Sequence, residues 1–189
     1  MRPFHSLVAG LLFTGVTAAQ PDAVPPRFDV IHNPDVYYQD TPQRTLNSVL
    51  EAMSRDRYDY VAAHLLDPSF VDARLGRTEA YFERVAADQI AQTLAGSTQR
   101  AADLDARVRI VGLRLNFQNL IGQIRQKLAD EPDNLRDLKR FARDGQFQVA
   151  GDTATATLPD VKDRALYFKK VGDRWFLENR KEERAPAKE

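Results

Sequence analysis

The sequence predicts an α+β protein, with N-terminal helices and a large helical middle segment packed on a C-terminal antiparallel β-meander. Three observations carry this reading. Apolar residues recur at helical spacing from Leu46 to Ala142. From Gln146 the period switches to alternation, and the alternating runs are separated by the turn-forming pairs Gly151-Asp152 and Gly172-Asp173. Helices first and hairpin-linked strands last are the order expected when helices cover an antiparallel sheet.

Residues 1–19 read as a signal peptide. Arg2 supplies a positive start, residues 7–16 (LVAGLLFTGV) form a short apolar run, and Thr17-Ala18-Ala19 offers small residues for cleavage after Ala19. The run is too short for a stable membrane anchor, because a bilayer core of about 30 Å asks for roughly 17 or more apolar residues. Lipidation at the cleavage site needs a cysteine, and the chain has none. The expected location is therefore periplasmic or extracellular.

Residues 20–40 contain Pro21, Pro25, Pro26 and Pro34 and read as an extended leader. Its apolar residues, among them Phe28, Val30, Ile31 and Val36, are too numerous for a fully solvated linker. A single domain follows over 41–180. Thr41 and Pro42 form an N-cap and first helical position, and Leu46, Val49, Leu50 and Met53 give that helix an apolar face. After a charged break at 54–57, Tyr58, Val61, Ala62, Leu65 and Leu66 predict a second helix, ended by Asp67-Pro68. A third helix is predicted over 78–94.

The spacing of Leu104, Val108, Val111 and Leu115 predicts a helix despite its β-branched residues. A separate helix is expected over 116–129, stopped by Pro132, and a short one follows through Leu135, Leu138, Phe141 and Ala142 to Gly145. Strands are expected at 146–149, 153–158, 165–171 and 174–179. Residues 181–189, KEERAPAKE, read as a disordered tail.

Charge excludes some partners. The chain holds 27 basic and 27 acidic residues, and loss of residues 1–19 removes only Arg2 from this count. A near-neutral protein has no excess of cations for a nucleic-acid backbone, so no nucleic-acid partner is expected. Without cysteine there is no thiolate metal site and no cysteine nucleophile. GxSxG, P-loop and GxGxxG motifs are absent.

After residues 1–19 two histidines remain, His32 and His64, and neither belongs to a ligand pair such as HExxH, so no metal and no cofactor is expected. Tyr60 and His64 stand one helical turn apart with Asp67 three residues on, a polar stripe beside the apolar face. The aromatic residues of the last strands, Tyr167 and Trp175 above all, are the candidates for contact with a ligand. Alternation is expected to bury Phe168 and Trp175 on one sheet face, with the helical middle segment covering the other.

The segments TPQRTLNSVLEAMSRDRYDYVAAHLLDP and GDTATATLPDVKDRALYFKKVGDRWFLENR resemble the nuclear-transport-factor-two-like (SnoaL-like, cystatin-like cone) superfamily. The features shared are Thr41-Pro42, the charged break before the helix that holds Tyr58 to Val61, the Gly172-Asp173 turn and Trp175. The resemblance spans 41–66 and 146–180; the helical middle, 75–143, is longer than the family's usual connection. It implies a cone-like fold and a concave sheet face open to a ligand.

On that basis the expected function is an exported non-catalytic module binding an unknown small molecule or an envelope protein. Two alternatives stand beside it. One is a cofactor-free small-molecule enzyme of SnoaL-like type, in which His64 acts as base, Asp67 orients it and Tyr60 is acid or anchor. The other is a structural or assembly domain of the cell envelope. Superfamily membership alone does not choose among them.

Overall fold

A computed structural model describes residues 24–93, 101–161 and 164–179, with the backbone alone at 101–102. Residues 1–19, expected as a signal peptide, and 181–189, expected as a tail, lie outside the described residues. Among the described residues, six helices and a four-stranded antiparallel sheet make up the fold. The chain is thus α+β.

Helix α1 (Pro42–Ser54) opens as its sequence dictates. Thr41 is extended, its hydroxyl accepts from the Arg44 N–H at 3.2 Å, and Pro42 occupies the first turn, where no donor is missed. Its buried stripe is Leu46, Val49 and Ala52, with Thr45 and Ser48 between. The chain then reverses through Asp56 at φ 57°, a left-handed conformation that aspartate tolerates better than most residues.

The predicted second helix is a single α-helical turn, α2 (Tyr58–Tyr60), running into a π-helical segment, Val61–Leu65. The Leu66 N–H reaches back five residues to the Val61 carbonyl at 3.0 Å, which widens the turn. All five residues of the π segment are buried. Leu66 is extended and bridges Leu177 in parallel.

Asp67-Pro68 ends this segment and also opens α3 (Pro68–Gly76), which the sequence reading did not anticipate. The Asp67 carboxylate accepts from the Ser69 N–H at 3.2 Å and from the Ser69 hydroxyl at 2.6 Å. Pro68 takes the first helical position.

Helix α4 (Glu79–Thr93) lies antiparallel against the first half of α5 (Ala101–Asp130). Close approach is allowed by Gly112, where an added Cβ would stand 3.1 Å from the Glu83 backbone. Residues 104–115 and 116–129, expected as two helices, are one continuous helix of 30 residues. No breaker separates Leu115 from Asn116. Asn116 anchors the helix instead, its amide donating to the Leu75 carbonyl at 2.9 Å and its oxygen accepting from Thr78 at 2.8 Å.

Helix α6 (Pro132–Asp144) starts on Pro132, the residue expected to stop the helix before it, and ends at Gly145. Strands β1 (Gln146–Ala150), β2 (Thr153–Thr157), β3 (Ala165–Val171) and β4 (Arg174–Glu178) follow in the order β1-β2-β3-β4, each antiparallel to the next. Both two-residue hairpins place glycine at positive φ, 60° at Gly151 and 64° at Gly172, as the twist of such loops requires.

One sheet face, with Ala154, Ala156, Phe168 and Trp175, packs under Leu46 of α1 and Phe141 of α6. A second apolar cluster joins α1, the π segment, α3 and α5 through Val49, Val61, Leu65, Val71, Phe117 and Leu120. The expectation that the helical middle covers the opposite sheet face is corrected here. Among the described residues α5 packs on α2, α3, α4 and α6, with no extended packing of α4 or α5 on the strands. The opposite face carries Thr153, Thr155 and Thr157 beside Gln146 and Gln148, side chains that tolerate water, and, at its β4 end, buried Phe176.

The leader folds onto the domain. Residues 27–30 make a tight turn, with Phe28 at φ 54° and Asp29 at φ 64°, closed by paired hydrogen bonds between Arg27 and Val30. Phe28 stacks on Phe117 at 4.4 Å between ring centroids. Further on, the Gln39 carbonyl accepts from the Trp175 N–H at 2.8 Å, which covers part of the open edge of β4.

Candidate functional site

Two places on this fold concentrate chemistry. The first is the seam between the leader and the π segment, where the structure brings together Tyr60 and His64. Both are core residues, 1 % and 2 % exposed. Their rings lie 4.9 Å apart, with Tyr37 4.2 Å from Tyr60 and His32 5.2 Å from His64.

His64 Nε2 is 2.8 Å from the Val30 carbonyl. A carbonyl only accepts, so the imidazole proton sits on Nε2 and the neutral ring keeps its lone pair on Nδ1. Burial lowers the His64 pKa, and the neighbouring cationic groups His32, Arg174 and Arg27 lower it further against the Val30 hydrogen bond. His32 is lowered for the same two reasons, burial first and Arg174 second. Tyr60 is raised by burial, and its hydroxyl accepts from the Asn33 N–H at 3.0 Å.

Asp67 does not join this group. Its carboxylate is held by Ser69 at the start of α3, and what orients His64 is a backbone carbonyl. The Tyr60–His64 pair therefore acts as a clasp for the leader. Gln39 completes it, donating from one amide nitrogen to the carbonyls of His64 and Trp175, both at 2.8 Å. Arg27 adds bonds to the carbonyls of Ala63 (3.3 Å) and Pro68 (3.1 Å) and an ion pair with Asp72. Neither Gln39 nor Arg27 stood out in the sequence, since their partners lie 25 or more residues away.

The second place is a cleft of about 940 Å³ walled by α3, α5 and α6 and floored where β3 begins and β4 ends. Its volume is at the upper end of the roughly 300–1,000 Å³ usual for ligand sites. Half-buried Phe70, Ile124, Leu128 and Leu177 give it an apolar interior. Charged side chains line its margin: Arg74 from α3, Arg77 directly after it and Lys127 from α5, and Glu131, Asp137, Arg164 and Glu178 from the other side.

Of the two aromatic candidates, Tyr167 lines this cleft and Trp175 does not. They project from opposite sheet faces, since Trp175 pairs with Lys170 and Tyr167 with Glu178. Trp175 is buried against α1 in the core, as expected from alternation. Sequence reasoning missed most of the cleft because Phe70 and Arg74 sit on α3 and Arg77 directly follows it. The signal that existed was the Asp67-Pro68 start followed by apolar Phe70, Val71 and Leu75.

Among the described residues no group of three or more potential metal ligands is assembled, and no helix is long and apolar enough to cross a membrane. Fold and site together define an α+β protein with an amphiphilic cleft. Compared with known protein families, curated proteins and solved structures, the chain matches none.

Proposed function

We propose that this protein is an exported, non-catalytic ligand-binding module of the nuclear-transport-factor-two-like kind, and that it holds a small molecule in the cleft between α3, α5, α6 and the sheet. The observation that supports this most is the cleft itself, which gathers half-buried Phe70, Ile124, Leu128 and Leu177 from α3, α5 and β4 into one recessed apolar interior. A catalytic role for Tyr60, His64 and Asp67 has less support. His64 is enclosed by the leader, and the Asp67 carboxylate serves Ser69.

Binding of Nile red, a neutral apolar dye, tests the reading. Wild-type protein should enhance its fluorescence saturably, and Leu128→Gln and Ile124→Gln should each weaken binding by about tenfold, as expected for polar groups introduced on an apolar floor. Thermal melts of the same variants confirm that they fold. Unchanged dye binding in folded variants overturns the assignment of the cleft.

A further inference from the structure

Not every charge lining the cleft is compensated. Asp137 is paired with Arg164 and Glu178 is engaged, whereas Glu131 accepts from the neutral Asn134 amide and keeps its charge. Arg74 donates to Gln123 at 2.8 Å, which leaves its charge unneutralised. Among the described residues Arg77 and Lys127 have no ion-pair partner. Three cations without a counter-charge, Arg74, Arg77 and Lys127, against one such carboxylate, Glu131, leave the margin positive, and the cations stand on α3, directly after it and on α5, the helices that also supply Phe70, Ile124 and Leu128.

An apolar interior with an excess of uncompensated cations along its α3–α5 side complements a molecule with an apolar chain and an anionic head. We propose that the ligand of the cleft is a free, single-chain anionic amphiphile such as a fatty-acid carboxylate, its head held by Arg77 and Lys127 and its chain lying on Phe70, Ile124 and Leu128. Arginine suits a planar carboxylate because its donors match both oxygens. Lysine adds a mobile point charge. The occupant is a free molecule and not a bilayer, because the apolar residues are recessed between three helices and two strands instead of standing out on a convex surface.

This inference rests on the cleft reading, and the test separates the two. Three ligands with the same twelve-carbon chain and different heads, dodecanoate, dodecyltrimethylammonium and 1-dodecanoylglycerol, are titrated against the full chain carrying Nile red. Dodecanoate should displace the dye at about tenfold lower concentration than the other two, and added salt should narrow the gap. In Arg77→Gln/Lys127→Gln the preference for dodecanoate over the other two heads should vanish.

Equal displacement by all three heads overturns the anionic assignment and leaves the cleft reading standing. If the dye binds and none of the chains displaces it, the amphiphile is overturned. Absence of dye binding overturns both readings. Co-sedimentation with phosphatidylglycerol vesicles checks the source: no capture is expected, and capture that depends on Arg77 and Lys127 overturns the free-molecule assignment.

Discussion

The imidazole of His64 donates from Nε2 to the carbonyl of Val30 at 2.8 Å, across 34 residues of chain, and so fastens the leader to the core. A charged His64 would keep this bond but would stand beside His32, Arg174 and Arg27 with little water to screen it. The clasp therefore favours the neutral ring.

Acid should weaken the fold for this reason. Both histidines have folded-state pKa values below the ordinary 6.5, through burial and nearby cationic groups. Stability is fully present above that value. As pH falls below it, the unfolded chain takes up protons that the folded chain refuses, so stability drops by up to about 1.4 kcal/mol per pH unit from His64 alone until the folded value is reached. Urea midpoints measured between about pH 7.5 and 5.5 check the sign, and His64→Gln, which keeps a donor without titrating, should flatten the slope.

Gln39→Ala removes both donors that satisfy the carbonyls of His64 and Trp175. The Thr45 hydroxyl still reaches the Trp175 carbonyl at 3.3 Å, so the buried His64 carbonyl is the acceptor that loses its side-chain donor, and stability should fall by about 1–3 kcal/mol, read from chemical denaturation. Ligand binding in the cleft should not change, because Gln39 does not line it.

Asp67→Ala tests whether that carboxylate is a cap. Loss of its bonds to Ser69 should reduce stability by about 1 kcal/mol, and Asp67→Asn should restore most of it, since asparagine caps as well as aspartate. The readout is the thermal midpoint of the two variants against wild type.

Gly112→Leu should be worse than either. Its Cβ alone would approach the Glu83 backbone to 3.1 Å, and a full side chain must push α4 from α5. A loss of about 1–3 kcal/mol is expected, with the helical signal retained in circular dichroism.

What the sequence made legible was what is local. Thr41-Pro42 announces α1, the Gly-Asp pairs announce both hairpins, and alternation placed Trp175 in the core. Asp67-Pro68 misled because one dipeptide both stops the π segment and starts α3. Tyr60 and His64 were found together by helical spacing, but their partners were not, since Val30, Asn33 and Gln39 meet them only after the leader folds back. The cleft depends on five separate elements and has no single sequence signal. β-Branched Val108, Ile110 and Val111 obscured the continuity of α5, which packing against α4 sustains.

The cleft assignment is met most directly by backbone-amide chemical shifts recorded during a titration with dodecanoate. The perturbed amides should cluster at Phe70, Arg77, Ile124, Lys127 and Tyr167 around the cleft. Perturbations centred on His32, Tyr60 and His64, with those positions silent, would contradict the assignment and place the ligand at the leader clasp instead.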